Sequence, residues 1–149
     1  MSNQDEIILY LCENVKMGLS STTKIIKILK NKDNKIKKVL ENYIKTYEHY
    51  LKMAKDLKQK YNVKTTKNKF MQKLMANTMM EEEIKRDNSD SKIANILIRG
   101  FTMGEIDLEK RIKDFVNNLD KKEKSDILEL AKELHAFNKN SIIELKDYL

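Results

Sequence analysis

Two histidines, His49 and His135, and two glutamates, Glu13 and Glu105, are the residues of this 149-residue chain that best suit metal-assisted chemistry. A di-iron or di-manganese carboxylate centre takes one inward Glu from each of two helices and a Glu-x-x-His pair from each of two others. Residues three apart share a helix face and can grip one metal pair. His49 and His135 stand 86 residues apart, the same offset that separates Met17-Gly18 from Met103-Gly104. Yet Thr46 lies three before His49 and Lys132 three before His135, so neither is Glu-x-x-His. All four candidates fall beside the apolar rows described below, not in them. The pattern reads as solvated surface histidines with no cofactor. A divergent metal-binding protein or oxidoreductase using Glu13, Glu105, His49 and His135 is the alternative.

Other catalytic constellations are missing. Cys12 has no histidine nearby in sequence to hold a thiolate, and it reads as a half-buried small apolar side chain. No Gly-rich phosphate loop, Cys-x-x-Cys pair or nucleophile elbow occurs.

The elements that must position these residues are helices. The chain has no proline and three glycines, which leaves few breaks. Ile8, Leu11, Val15, Gly18, Thr22, Ile25 and Leu29 form one row with alternating steps of three and four, the seam of a packed helix. Ile36, Leu40, Tyr43, Tyr47, Tyr50, Ala54, Leu57 and Tyr61 form a second. Ala94, Leu97, Phe101, Gly104, Leu108 and Phe115, interrupted by Arg111, form a third. Ile127, Leu130, Leu134, Phe137, Ser141, Leu145 and Tyr148 form the last. Asn3 with Glu6, and Asp120 with Glu123, have capping-box spacing, and "DNSDS" at 87–91 supplies further caps. The prediction is one all-α domain over 1–149, with helices at about 4–30, 34–61, 67–86, 90–117 and 121–148. Short polar "NKDN" at 31–34 makes the first two helices antiparallel neighbours. Two antiparallel hairpins joined by one long crossover, with a short additional helix in it, is the ferritin-like four-helix bundle. A plain bundle with an extra packed helix is the other layout considered.

The repeated Met-Gly places Gly18 and Gly104 at equivalent inward positions. Each helical glycine costs about 1 kcal/mol relative to alanine. Close backbone approach, or room for a large neighbour, would offset that. The tyrosine row Tyr43, Tyr47 and Tyr50 could line a polar-tipped pocket with Gly18 and Gly104, or fill the core opposite small residues. Met71, Met75, Met79 and Met80 in the crossover suit either an adaptable partner surface or a helix laid over the bundle. The run Glu81-Glu82-Glu83 after them gives that helix an acidic end.

A net charge of +7 and pI near 9.3 raise a lysine-driven nucleic-acid binder as a third reading. Only three arginines (Arg86, Arg99 and Arg111) argue against a specific one. One cysteine, an acidic N-terminal stretch and no apolar run of about 20 residues predict a cytoplasmic protein without a membrane partner.

From Ser91 to Ile112, "SKIANILIRGFTMGEIDLEKRI" resembles an uncharacterised family of small helical proteins from Firmicutes. The family pattern runs Ser-x-x-Ile-Ala into Gly-x-Thr-Met-Gly-x-x-Asp. Ser91, Ile93, Ala94, Gly100, Thr102, Met103, Gly104 and Asp107 carry it here. Met17-Gly18 and the ending Ile143-Glu144-Leu145-Lys146 extend the likeness, although Glu144 and Leu145 are adjacent where the family has a residue between. The chain also departs from it at Asn95 and Arg99, where more acidic or amide residues are expected. The resemblance implies a bacterial protein of ferritin-like layout and carries no activity. The expected function is therefore a non-enzymatic interaction or scaffold protein, partnered by itself or another protein.

Overall fold

The computed structural model describes residues 2–65, 70–117 and 125–149, with side chains for all of these except 70–77 and 125. The described residues are helical, with no strand among them. Five α-helices follow in order: α1 Asn3–Ile28, α2 Lys37–Lys60, α3 Phe70–Arg86, α4 Asp90–Asn117 and α5 Ser125–Leu145. A 3₁₀ turn at Lys146–Tyr148 closes the chain. No described helix is long and apolar enough to cross a membrane.

The ends of the helices follow local chemistry, sometimes other than the sequence suggested. Ser2, not the Asn3–Glu6 pair, caps α1: its hydroxyl accepts the Asp5 N–H at 3.1 Å. Asp5 and Glu6 then meet the positive end of the helix dipole. The loop to α2 is longer than "NKDN", because α1 ends at Ile28 and α2 starts at Lys37. Lys37 ties that loop by donating to the Lys32 carbonyl. α2 ends in a Schellman turn. Asn62 takes φ 53°, Val63 N–H reaches the Lys58 carbonyl at 3.0 Å, and Asn62 N–H reaches Gln59 at 3.2 Å. Ser89 caps α4 by accepting from Lys92 N–H at 3.2 Å. The proposed Asp120–Glu123 capping pair lies outside the described residues, as do the expected starts of the third and fifth helices.

Two polar clamps set the helix directions. Asn34 and Lys35, ahead of α2, donate to the Asp90 carboxylate at the start of α4, at 2.8 and 3.1 Å. At the far end of α2, Lys60 and Tyr61 donate to Asp126 at the start of α5, at 2.7 and 2.8 Å. Burial works against the ionised Asp126, but hydrogen bonds from Lys60, Tyr61 and Ile127 N–H outweigh it and hold its pKa below the ordinary value. α2 and α4 therefore run one way and α1 and α5 the other. α1 packs on α2 and α4, and α5 packs on α4 and α2, around a shared core.

That core is built from the four rows. Ile8, Leu11, Val15, Ile25, Leu29, Ile36, Leu40, Leu108, Leu130 and Leu134 are wholly buried. Burying each such side chain contributes about 1.5–3 kcal/mol. Cys12 is fully buried, not half-buried, and donates to the Ala54 carbonyl at 3.4 Å, so burial raises its thiol pKa. α3 lies over α1 and α4 and anchors itself with fully buried Ile84. Glu81 pairs with Lys24 at 3.9 Å and Glu83 with Lys92 at 3.8 Å, so part of the acidic run is spent on neighbouring helices of the same chain.

Candidate functional site

The four metal candidates do not share one site. His49 is exposed beside Tyr50 on α2. Glu13 is half-buried on α1. α4 and α5 bring Glu105 to His135, with 3.9 Å between Oε1 and Nε2, and Glu109 stands equally far from the same nitrogen. The surface reading of His135 is therefore wrong. Its side chain is 23% exposed, and Nε2 is buried with no hydrogen bond. The tightly packed α4–α5 pair covers positions one step off the seam. Glu109, four residues after Glu105, was the sequence signal that accompanied it. Among the described residues no group of three or more His, Cys, Asp or Glu is placed to hold a metal ion.

Arg111, the break in the third row, is accommodated at the α1–α4 contact. Its guanidinium lies 4.1 Å from the centre of the Tyr10 ring and pairs with Asp107 at 3.6 Å. Burial first, then the Asp107 carboxylate, raise the Tyr10 pKa.

The tyrosine row divides between core and cavity. Phe137 on α5 is its hub. Tyr43, Tyr47, Tyr50 and Phe101 all meet it edge to face, with centroids 5.2–5.8 Å away. Tyr43 donates to the Glu144 carboxylate at 3.0 Å and to the Ser141 carbonyl at 3.4 Å, so it is a satisfied core residue. Tyr50 packs on the rim of the hub. Neither lines a pocket with the glycines, which corrects that part of the expected set.

Tyr47 does. It is 5% exposed and its ring lies across Gly18. A Cβ on Gly18 would overlap that ring and stand 2.7 Å from the hydroxyl oxygen. Gly18 is thus the room that a large side chain needs. Beside this contact a cavity of about 250 Å³ opens between α1, α3 and α4. Gly18, Gly100 and Gly104 all line it, and these are the only glycines in the chain. At Gly100 an added Cβ would meet nothing within 4 Å, and at Gly104 its nearest neighbour would be the Asn138 amide nitrogen at 3.4 Å. Met17, Met80, Leu97 and Phe101 give the cavity apolar walls, while Asn14, Asn138 and Tyr47 give it polar tips.

The state of these polar tips differs. Asn14 donates to the Tyr10 hydroxyl at 3.4 Å. Thr22 is occupied by the Gly18 carbonyl at 2.7 Å. Asn138 is 3% exposed. The Tyr47 hydroxyl has no hydrogen-bond partner among the described residues, and burial raises its pKa, so it stays protonated and able to donate. The described lining holds no ionisable acid, base or thiol other than this phenol.

The methionines of the crossover also divide. Met80 is half-buried in the cavity wall, whereas Met79 is 68% exposed, so the two do not form one surface. Met71 and Met75 belong to α3, but their side chains lie outside the described residues. Gly100 was the residue missed from the cavity. It lies one helical turn before Gly104, a spacing the sequence displays.

No protein-family model matches the chain, and no curated protein and no solved structure matches it.

Proposed function

We propose that this chain is a non-enzymatic binding protein whose cavity between α1, α3 and α4 receives a small molecule. The observation that carries this is the convergence on one mostly apolar space of all three glycines and of Tyr47, a side chain only 5% exposed whose hydroxyl has no hydrogen-bond partner among the described residues. Helical glycines are costly, at about 1 kcal/mol each. Here two of them keep space open where a side chain would fit. Mostly apolar walls with a few convergent polar groups are the usual make-up of a ligand site. At about 250 Å³ the cavity lies just under the common range of about 300–1,000 Å³, which points to a small ligand. Among the described residues the lining offers no acid–base pair or thiol nucleophile, which favours binding over turnover. The layout that supports this site is, in our reading, ferritin-like: two antiparallel hairpins joined by a long crossover.

Methionine-methyl NMR tests the proposal. A library of small molecules titrated into the protein should give saturable shifts at Met17 and Met80 and leave Met103, 73% exposed, unchanged. Gly100→Leu, which fills the cavity, should abolish them. Shifts spread over all methionines, or binding that survives Gly100→Leu, would overturn it.

A second reading, self-association, is favoured by the exposed apolar side chains of Met103 and Ile106 on α4, 73% and 65% exposed. It requires a sedimentation coefficient that rises with concentration, reversed by Met103→Lys with Ile106→Lys. A strict monomer would remove it.

A further inference from the structure

The chemistry of the cavity narrows its ligand, if the site binds a small molecule as proposed above. Three observations bear on it. First, no fixed charge lines the cavity among the described residues, so a carboxylate, phosphate or ammonium placed there would find no counter-charge in that lining. Burying an unpaired ion is far costlier than burying a hydrogen-bonded polar group. Second, the Tyr47 hydroxyl is a protonated donor with no acceptor among the described residues, and it sits at the cavity wall against Gly18. An acceptor on the ligand would satisfy it. Third, the apolar part of the lining combines the three glycines, Phe101 and the thioethers of Met17 and Met80 with the aliphatic side chains of Ile96 and Leu97. Glycine faces are flat, and sulfur and aromatic edges both favour a ring as neighbour.

Size sets the rest. A dry apolar cavity of about 150 Å³ holds benzene. The space here, about 250 Å³, admits one ring with a short substituent or a fused pair.

We infer that the ligand is a neutral aromatic molecule of one or two rings, bearing a carbonyl-type oxygen that accepts a hydrogen bond from the Tyr47 hydroxyl. The Asn138 side chain, 3% exposed and lining the same cavity beside Gly104, offers a second polar group to the same molecule. Tyr47 selects the ligand by chemistry, and the three glycines select it by shape.

Three probes of similar size separate the elements of this inference: acetophenone, ethylbenzene and benzoate, each titrated into the full chain and followed at the Met17 and Met80 methyls. Acetophenone should bind most tightly, ethylbenzene more weakly, and benzoate least. Tyr47→Phe, which keeps the ring packed on Phe137, should weaken acetophenone about threefold to tenfold and leave ethylbenzene unchanged. Gly100→Leu should exclude both neutral probes, with folding confirmed by its thermal transition. If benzoate equals or exceeds acetophenone at the same methyls, the neutral-ligand inference falls while the binding-site reading stands. The acceptor role falls if Tyr47→Phe weakens both neutral probes alike or neither. Failure of every probe and of the wider library to perturb Met17 and Met80 would sink the inference and the binding reading together.

Discussion

Gly18 and Gly104 follow methionine in the same register of two helices, yet they do opposite things. Gly18 is filled: Tyr47 occupies the place where its side chain would be, pinned by Phe137 with 5.2 Å between ring centres. Gly100 faces open space, and at Gly104, one turn later, an added Cβ would make only an ordinary contact, 3.4 Å from the Asn138 amide nitrogen. The preceding methionines diverge as well. Met17 joins the cavity wall and Met103 is exposed to solvent. A repeated glycine therefore signals only that a side chain is unwelcome. Whether it is replaced by a neighbour or by a cavity depends on what the opposite helix presents.

The sharpest test is Gly18→Ala. The new methyl must displace a ring held by its own packing, so a net destabilisation of about 2 kcal/mol is expected after the helix-propensity gain. It would be read as a lower urea midpoint with an unchanged slope. Adding Tyr47→Leu should recover most of it, and a neutral Gly18→Ala would mean the close approach is not there. Next is Tyr43→Phe, which strands the partners of a satisfied hydroxyl and should cost about 1 kcal/mol. Gly100→Ala reverses the sign: with nothing within 4 Å, it should stabilise by about 0.5–1 kcal/mol, and a loss would contradict the open wall. Gly104→Ala should gain less, about 0.5 kcal/mol, because Asn138 is already in van der Waals contact. Smallest is Tyr47→Phe, within about 0.5 kcal/mol of the parent, since it removes a hydroxyl with no protein partner to lose. Equal costs for Tyr43→Phe and Tyr47→Phe would erase the distinction between core and cavity tyrosines.

Much of the helical frame was legible because periodicity reports burial directly. The seam residues of the four rows are buried or half-buried almost without exception, since a helix has only one face to turn inward. Helix ends were harder. Ser2 displaced the Asn3–Glu6 pair because capping depends on which side chain reaches the free N–H groups, and several neighbours qualify. Within "DNSDS", read as a source of caps for α4, Ser89 takes that role, while Asp90 holds the loop before α2, a contact across more than fifty residues of chain. His135 was misread because its burial comes from a neighbouring helix, and no pattern on α5 itself records that.

By itself the sequence determined the helical class, the inward rows and the glycines at which a side chain is excluded. Those properties reside in local backbone preference and in the order of apolar residues along one chain segment. Tertiary structure alone decided that Gly18 meets a tyrosine while Gly100 and Gly104 bound a cavity, and that Tyr43 is satisfied where Tyr47 is not. Such outcomes depend on which side chains from separate helices meet in space, and helix periodicity fixes the face a residue occupies but not the neighbour it finds there.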